Sequence, residues 1–161
     1  MANTQAMCTA FMVDLLKGIH AFDTTNARGG TTKDTFNGAL YYATATKDAT
    51  TTAYSATGEI TASGSYGAGG IAFTNATAPT SSGTAANGSG NKAFWTPSAS
   101  WTTGSGFTAA AFDTILVYNA TATGKNAVSV HTFGSQTITA GTFTLTMPTN
   151  DGTTGLIRFG T

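Results

Sequence analysis

The stretch Thr114-Ile115-Leu116-Val117-Tyr118-Asn119, followed by the turn-forming Ala122-Thr123-Gly124-Lys125-Asn126 and then by Ala127-Val128-Ser129-Val130-His131-Thr132-Phe133, decides the fold class. Two runs rich in β-branched and aromatic residues, separated by a short Gly-containing link, predict a β-hairpin. Period-two patterning continues on either side. In Phe36-Asn37-Gly38-Ala39-Leu40-Tyr41-Tyr42, residues Phe36, Leu40 and Tyr42 fall on one face. In Thr142 to Met147, Phe143, Leu145 and Met147 alternate with three threonines, the pattern of a strand with one buried and one hydroxyl-covered face. Further strands are expected at 58–62, 70–73, 92–95, 107–112 and 156–159, with a second hairpin turn at Thr139-Ala140-Gly141. No segment after residue 35 has helical spacing long enough for a parallel crossover. The expected architecture is mainly β, an antiparallel, jelly-roll-like β-sandwich with one N-terminal α-helix, in a single domain over 1–161.

The helix is expected over 4–20, ahead of a sandwich over 35–161. Met7, Phe11 and Leu15 recur every four residues, and Cys8, Met12, Leu16 and Ile19 run beside them as one broad apolar face. Thr4 is the expected N-cap, Lys17 suits the last turn, and Gly18 is the expected stop. That face packs either on its own sheet or on a neighbouring subunit, so Met7, Phe11 and Leu15 are candidate assembly contacts. The segment 76–91 is almost all small residues, with Pro79 its only larger member, and reads as a long exposed loop of the kind that binds or wraps a neighbour.

Composition narrows the function. The 161 residues include 35 Thr, 27 Ala and 20 Gly, with seven basic and seven acidic residues and no net charge. No basic cluster is present to neutralise phosphates, so neither nucleic acid nor an acidic membrane is an expected partner. No stretch approaches the 18 apolar residues of a membrane span. The start Met1 to Gln5 has no basic n-region, which argues against a secretory leader. With 9% charged residues but ten Phe, five Tyr and two Trp, the chain has the composition of a folded protein whose surface is meant for neighbours.

Chemistry is sparse. The acids Asp14, Asp23, Asp34, Asp48, Glu59, Asp113 and Asp151 are dispersed and read as turn or cap residues. His20 at the helix end and His131 inside a strand are too few for a zinc site, and no metal or cofactor is expected. Asp113, His131 and a serine make only a paper triad, with no G-x-S-x-G elbow. Cys8 reads as a buried, inert thiol. Gly64 to Gly70 lacks the Lys-Ser/Thr ending of a phosphate loop and reads as a turn. Trp95 and Trp101, flanking Pro97, either close the core, make a subunit contact, or form a sugar-stacking platform with Tyr54, Tyr66 and Phe107. The chain is therefore not expected to be an enzyme.

Several blocks carry a wider resemblance. They are Phe11-Met12-Val13-Asp14-Leu15-Leu16-Lys17-Gly18-Ile19-His20 with Phe22, Asp34 to Tyr41, Thr52-Ala53-Tyr54-Ser55 with Tyr66 to Gly70, Ile115 to Asn119 through Val128 to Gly134, the Phe143 strand, and Ile157-Arg158-Phe159. In this order the chain resembles a family of small virion proteins of tailed bacteriophages. The resemblance implies an accessory structural component, such as a capsid cement or decoration protein, made in the host bacterial cytoplasm and carried on the capsid surface. Its partners would be the major capsid protein and further copies of itself, as a homo-oligomer such as a trimer. A tail, neck or baseplate accessory protein is the alternative, and a carbohydrate-binding module using Trp95, Trp101 and Tyr66 is the reading from another class.

Overall fold

The computed structural model describes residues 2–23, 32–73, 78–83, 90–97 and 100–160. In chain order these form β1 (Ala6–Met7), α1 (Thr9–Lys17), β2 (Phe36–Tyr42), β3 (Ile71–Phe73), β4 (Thr80–Ser82), β5 (Lys92–Trp95), β6 (Trp101–Thr102), β7 (Phe107–Asn119), β8 (Ala127–Gly141), β9 (Thr144–Leu145) and β10 (Ile157–Gly160). The protein is mainly β, with antiparallel strands and one helix among the described residues. The principal sheet runs β1-β8-β7-β2-β3; a second runs β10-β5-β4, and β6 pairs with β9.

Its central hairpin is β7–β8, closed at the expected turn by Lys125 N–H donating to Ala122 O at 2.8 Å. The register places Phe36, Leu40, Ile115, Val117, Ser129 and His131 on one face of the principal sheet, and Ala39, Tyr41, Leu116, Tyr118 and Val130 on the other. Both faces are covered. Phe36 stacks on Phe22 at 4.5 Å and meets Trp95 of β5 at 5.3 Å. On the opposite side Tyr54 stacks on Tyr118 at 4.7 Å. Burial on both faces explains why Ile115 to Tyr118 is a continuous apolar run rather than an alternating one.

Several expectations need correction. The helix spans Thr9–Lys17, not 4–20, because Ala6 and Met7 pair with Val130 and Ser129 as a short edge strand. Thr4 does not cap it: its N–H donates to Lys47 O, and Cys8 holds the N-cap position with no side-chain hydrogen bond. Gly18 does end the helix, at φ 65°, where Ile19 N–H donates to Asp14 O at 2.9 Å. The expected break at Asp113 is absent, since β7 runs unbroken through it with bulges in its pairing. The 58–62 segment makes only an isolated bridge from Glu59 to Tyr41. Within 142–147 the burial alternates as expected, but only Thr144 and Leu145 join a ladder, and they pair with β6 rather than back onto β8. Thr139 to Gly141 is therefore the end of β8 and not a hairpin turn. The loop read over 76–91 contains β4, which pairs with β5, while its residues 76–77 and 84–89 lie outside the described part.

Cys8 is sealed in the core, and burial pushes its thiol up to about 12, with Asp48 adding to the rise. The folded protein is expected to leave Cys8 unmodified by a thiol reagent at pH 8, with full modification in denaturant. Rapid labelling of the folded protein would contradict this packing.

Candidate interaction surface

Helix α1 is apolar around most of its circumference, yet the sheet covers only one side of it. Phe11 and Asp14 point inward. Phe11 lies 5.0 Å from the His20 ring, 6.1 Å from Phe22 and 6.3 Å from Phe159, stacked on the last. Leu15 is half-buried. Met12 (47% exposed), Val13 (46%) and Leu16 (91%) point outward, with Ile19 just past the helix and Phe159 of β10 also exposed. At 100° per residue, Met12, Leu16 and Val13 form one outward stripe on α1, and Ile19 follows beyond the Gly18 cap. Met12, Leu16 and Ile19 belong to the apolar face expected to pack either on its own sheet or on a neighbouring subunit. They are uncovered because one helix side is all that a sheet can bury.

Between α1 and the β10-β5-β4 sheet lies a groove of about 160 Å³. Phe11, Leu15, Phe22, Pro79, Trp95 and Phe159 line much of it. Four of the six residues singled out from sequence, Phe11, Leu15, Pro79 and Trp95, thus converge here. Phe11 and Trp95 form its buried floor. Met7 is not part of it, being paired with Ser129 in β1, and Trp101 sits in β6 with its ring edge-on to Tyr66 at 6.0 Å.

The end of α1 is fixed by a polar network. Asn119 accepts from the N–H groups of Thr121 and Ala122 through Oδ1, both at 3.0 Å, which orients its amide. Its Nδ2 then donates to Asp34 at 2.6 Å and faces His20 Nδ1 at 3.1 Å. His20 Nδ1 is accordingly the acceptor, a tautomer assigned from this network. Nε2 is buried without a hydrogen bond, 3.9 Å from Asp14 Oδ2, which itself accepts from Asn126 at 2.8 Å. Burial lowers the His20 pKa, and Asp14 and Asp34 partly offset this. The helix is in this way tied to both ends of the β7–β8 turn.

The other candidates resolve differently. His131 Nε2 and Ser129 Oγ are 2.8 Å apart beside a cavity of about 330 Å³. Asp113 does not complete a triad, because it accepts from Asn3 and Thr114 instead, and Ser129 is buried. Tyr66 and Trp95 are each 2% exposed, so neither offers a face on which a sugar could stack. Among the described residues no group of three or more His, Cys, Asp or Glu side chains could hold a metal ion, and no helix is long and apolar enough to cross a membrane.

His131 supplies a pH test. Burial holds its pKa down at about 4 against an ordinary 6.5. Below pH 6.5 the unfolded chain takes up a proton that the folded chain refuses, so stability falls as pH drops towards 4, by roughly 3 kcal/mol. Urea midpoints measured across this range should fall in the native chain and fall much less in His131→Asn. Equal slopes would contradict a neutral, half-buried His131.

No family model, curated protein or solved structure matches the chain.

Proposed function

We propose that the chain is a non-enzymatic structural subunit of a tailed-bacteriophage particle, a cement or decoration-type protein that reinforces the head shell. In this reading the sheets form a jelly-roll-like sandwich, and the uncovered helix stripe with its groove is a contact surface towards the major capsid protein and other copies. The observation that carries the proposal is the exposure of Met12, Val13, Leu16 and Ile19 along and just past α1, together with that of Phe159, which lines the apolar groove. Large apolar side chains gathered on one face mark an interaction site. A neutral chain with only 9% charged residues fits a subunit whose surface meets neighbours. The resemblance of its sequence blocks to small virion proteins is what directs the reading to a phage particle. The reading predicts that purified protein co-sediments saturably with heads that lack it and raises the temperature at which they rupture. Binding to tails alone would move the role to the tail, neck or baseplate, and binding to neither would overturn it.

A further inference from the structure

We infer that the cavity between the principal sheet and the 145–158 segment is a binding site for a small amphiphilic carboxylate, an anionic headgroup on a compact apolar tail. At about 330 Å³ it reaches the ~300–1,000 Å³ of small-molecule sites. The fold leaves it open for a local reason. Between β9 and β10, residues 146–156 join no ladder, and the turn at Asp151, closed by Gly155 N–H donating to Asp151 O at 3.0 Å, passes over the sheet without pairing to it. The lining is graded from apolar to polar. Ile115 and Val117 form a buried floor, and half-buried Phe133, Leu145, Met147 and Leu156 form the walls. The exposed rim carries Gln5, Thr146 and Arg158. Side chains alternate along β10 and the residue before it, so Leu156 and Arg158 face this cavity while Ile157 and Phe159 line the groove beside α1. An apolar floor beneath a polar rim suits a ligand with its tail inward and its headgroup at the mouth.

Charge selects the headgroup. Arg158 is the one cation of the lining, and no acid lines it. Among the described residues Arg158 forms no ion pair. Asp151, close enough to feel its charge, is occupied inside its own turn, where it accepts from the Thr153 and Thr154 N–H groups at 2.7 Å each and from the Thr154 hydroxyl at 2.9 Å. A guanidinium presents paired N–H donors that match the two oxygens of a carboxylate. One guanidinium balances one negative charge, which favours a carboxylate over a phosphate with its charge of about −1.5 to −2. His131 adds no second charge, because burial keeps its ring neutral at pH 7. With Nε2 engaged by Ser129 Oγ at 2.8 Å, Nδ1 is the ring nitrogen left without a protein partner among the described residues.

This inference does not rest on the virion reading, since the cavity shares no lining residue with the groove beside α1 and either can fail alone. The test is an NMR titration of the full chain at pH 7 with sodium octanoate, against acetate, octan-1-ol and octylammonium. Octanoate should bind saturably with a Kd below about 1 mM, the order expected of a ligand with about ten non-hydrogen atoms. It should shift the methyl resonances of Ile115, Val117, Leu145 and Leu156. Octan-1-ol and octylammonium should bind at least about tenfold more weakly, and acetate, with no tail, should shift none of these methyls. Arg158→Gln should weaken octanoate binding by about tenfold while leaving octan-1-ol binding and the urea midpoint unchanged. Leu145→Trp, which fills the cavity from its wall, should abolish binding of both; if that variant does not fold, the comparison of acid with alcohol in Arg158→Gln decides. The inference is overturned by any one of three results: no saturable shift of these methyls up to about 5 mM octanoate, octan-1-ol binding as tightly as octanoate, or Arg158→Gln binding octanoate as the native chain does.

Discussion

Replacing Glu59 by alanine is expected to cost about 4 kcal/mol of folding stability, a large share of the ~5–15 kcal/mol typical of a domain. Glu59 sits in the segment that covers the Tyr41/Tyr118 face of the principal sheet. Its carboxylate accepts from the Tyr54 hydroxyl at 2.6 Å, the Tyr66 hydroxyl at 2.8 Å and the Gly69 N–H at 2.9 Å. Each partner has its own link to the sheet. The Tyr66 hydroxyl accepts from Leu40 N–H at 2.8 Å, Gly69 O accepts from the Tyr118 hydroxyl at 2.6 Å, and the Tyr54 ring stacks on Tyr118. Lys47, buried with its Nζ 4.2 Å above the Tyr41 ring, has its charged form favoured by Glu59 against the cost of burial. Alanine would leave three donors unpaired and Lys47 without that counter-charge. Glu59→Gln keeps one acceptor and should lose about half as much. Urea unfolding at pH 7 measures both, and a loss below about 1 kcal/mol in Glu59→Ala would contradict the cluster's role.

Trp95→Ala is expected to cost about 3–5 kcal/mol, the range for removing a buried aromatic. The indole lies edge-on to Phe22 at 4.8 Å and tilted to Phe36 at 5.3 Å. It fastens the β10-β5-β4 sheet to the principal sheet and floors the groove. Trp101→Ala, at a half-buried residue on the two-stranded ladder, should cost markedly less. The pair also separates core from contact: Trp95→Ala should impair assembly only in proportion to its lost stability, whereas Leu16→Lys should impair assembly with stability intact. Comparing urea midpoints with association in the same variants tests this, and equal stability losses at Trp95 and Trp101 would contradict it.

Where apolar patterning coincides with pairing, the sequence was readable. The 36–42 and 92–95 strands have the bounds expected, and the β7–β8 hairpin closes at the expected turn. The helix start was not readable, since Ala6 and Met7 fit a helical period as well as an extended one. Only the distant Ser129 and Val130 make them a strand. Asp113 looked like a strand end because it is a carboxylate, but Asn3, 110 residues away, satisfies it in mid-strand. Glu59 was not readable although Tyr54, Tyr66 and Gly69 lie within ten residues of it, because their spacing follows no regular element and only the fold of the loop turns them onto one carboxylate. The groove was half legible: Phe11, Leu15, Pro79 and Trp95 stood out as candidates, while Phe159 joins them only through the pairing of β10 with β5. The stripe had a cue in the breadth of the apolar face on α1, which exceeds what one sheet can cover.

The most direct measurement is a cryo-EM map of the intact particle, fine enough to trace α1 in any copy of this chain. The proposal predicts copies on the head shell with Met12, Val13 and Leu16 buried in a protein contact. Particles that contain no copy, or copies whose helix stripe faces solvent, would contradict it.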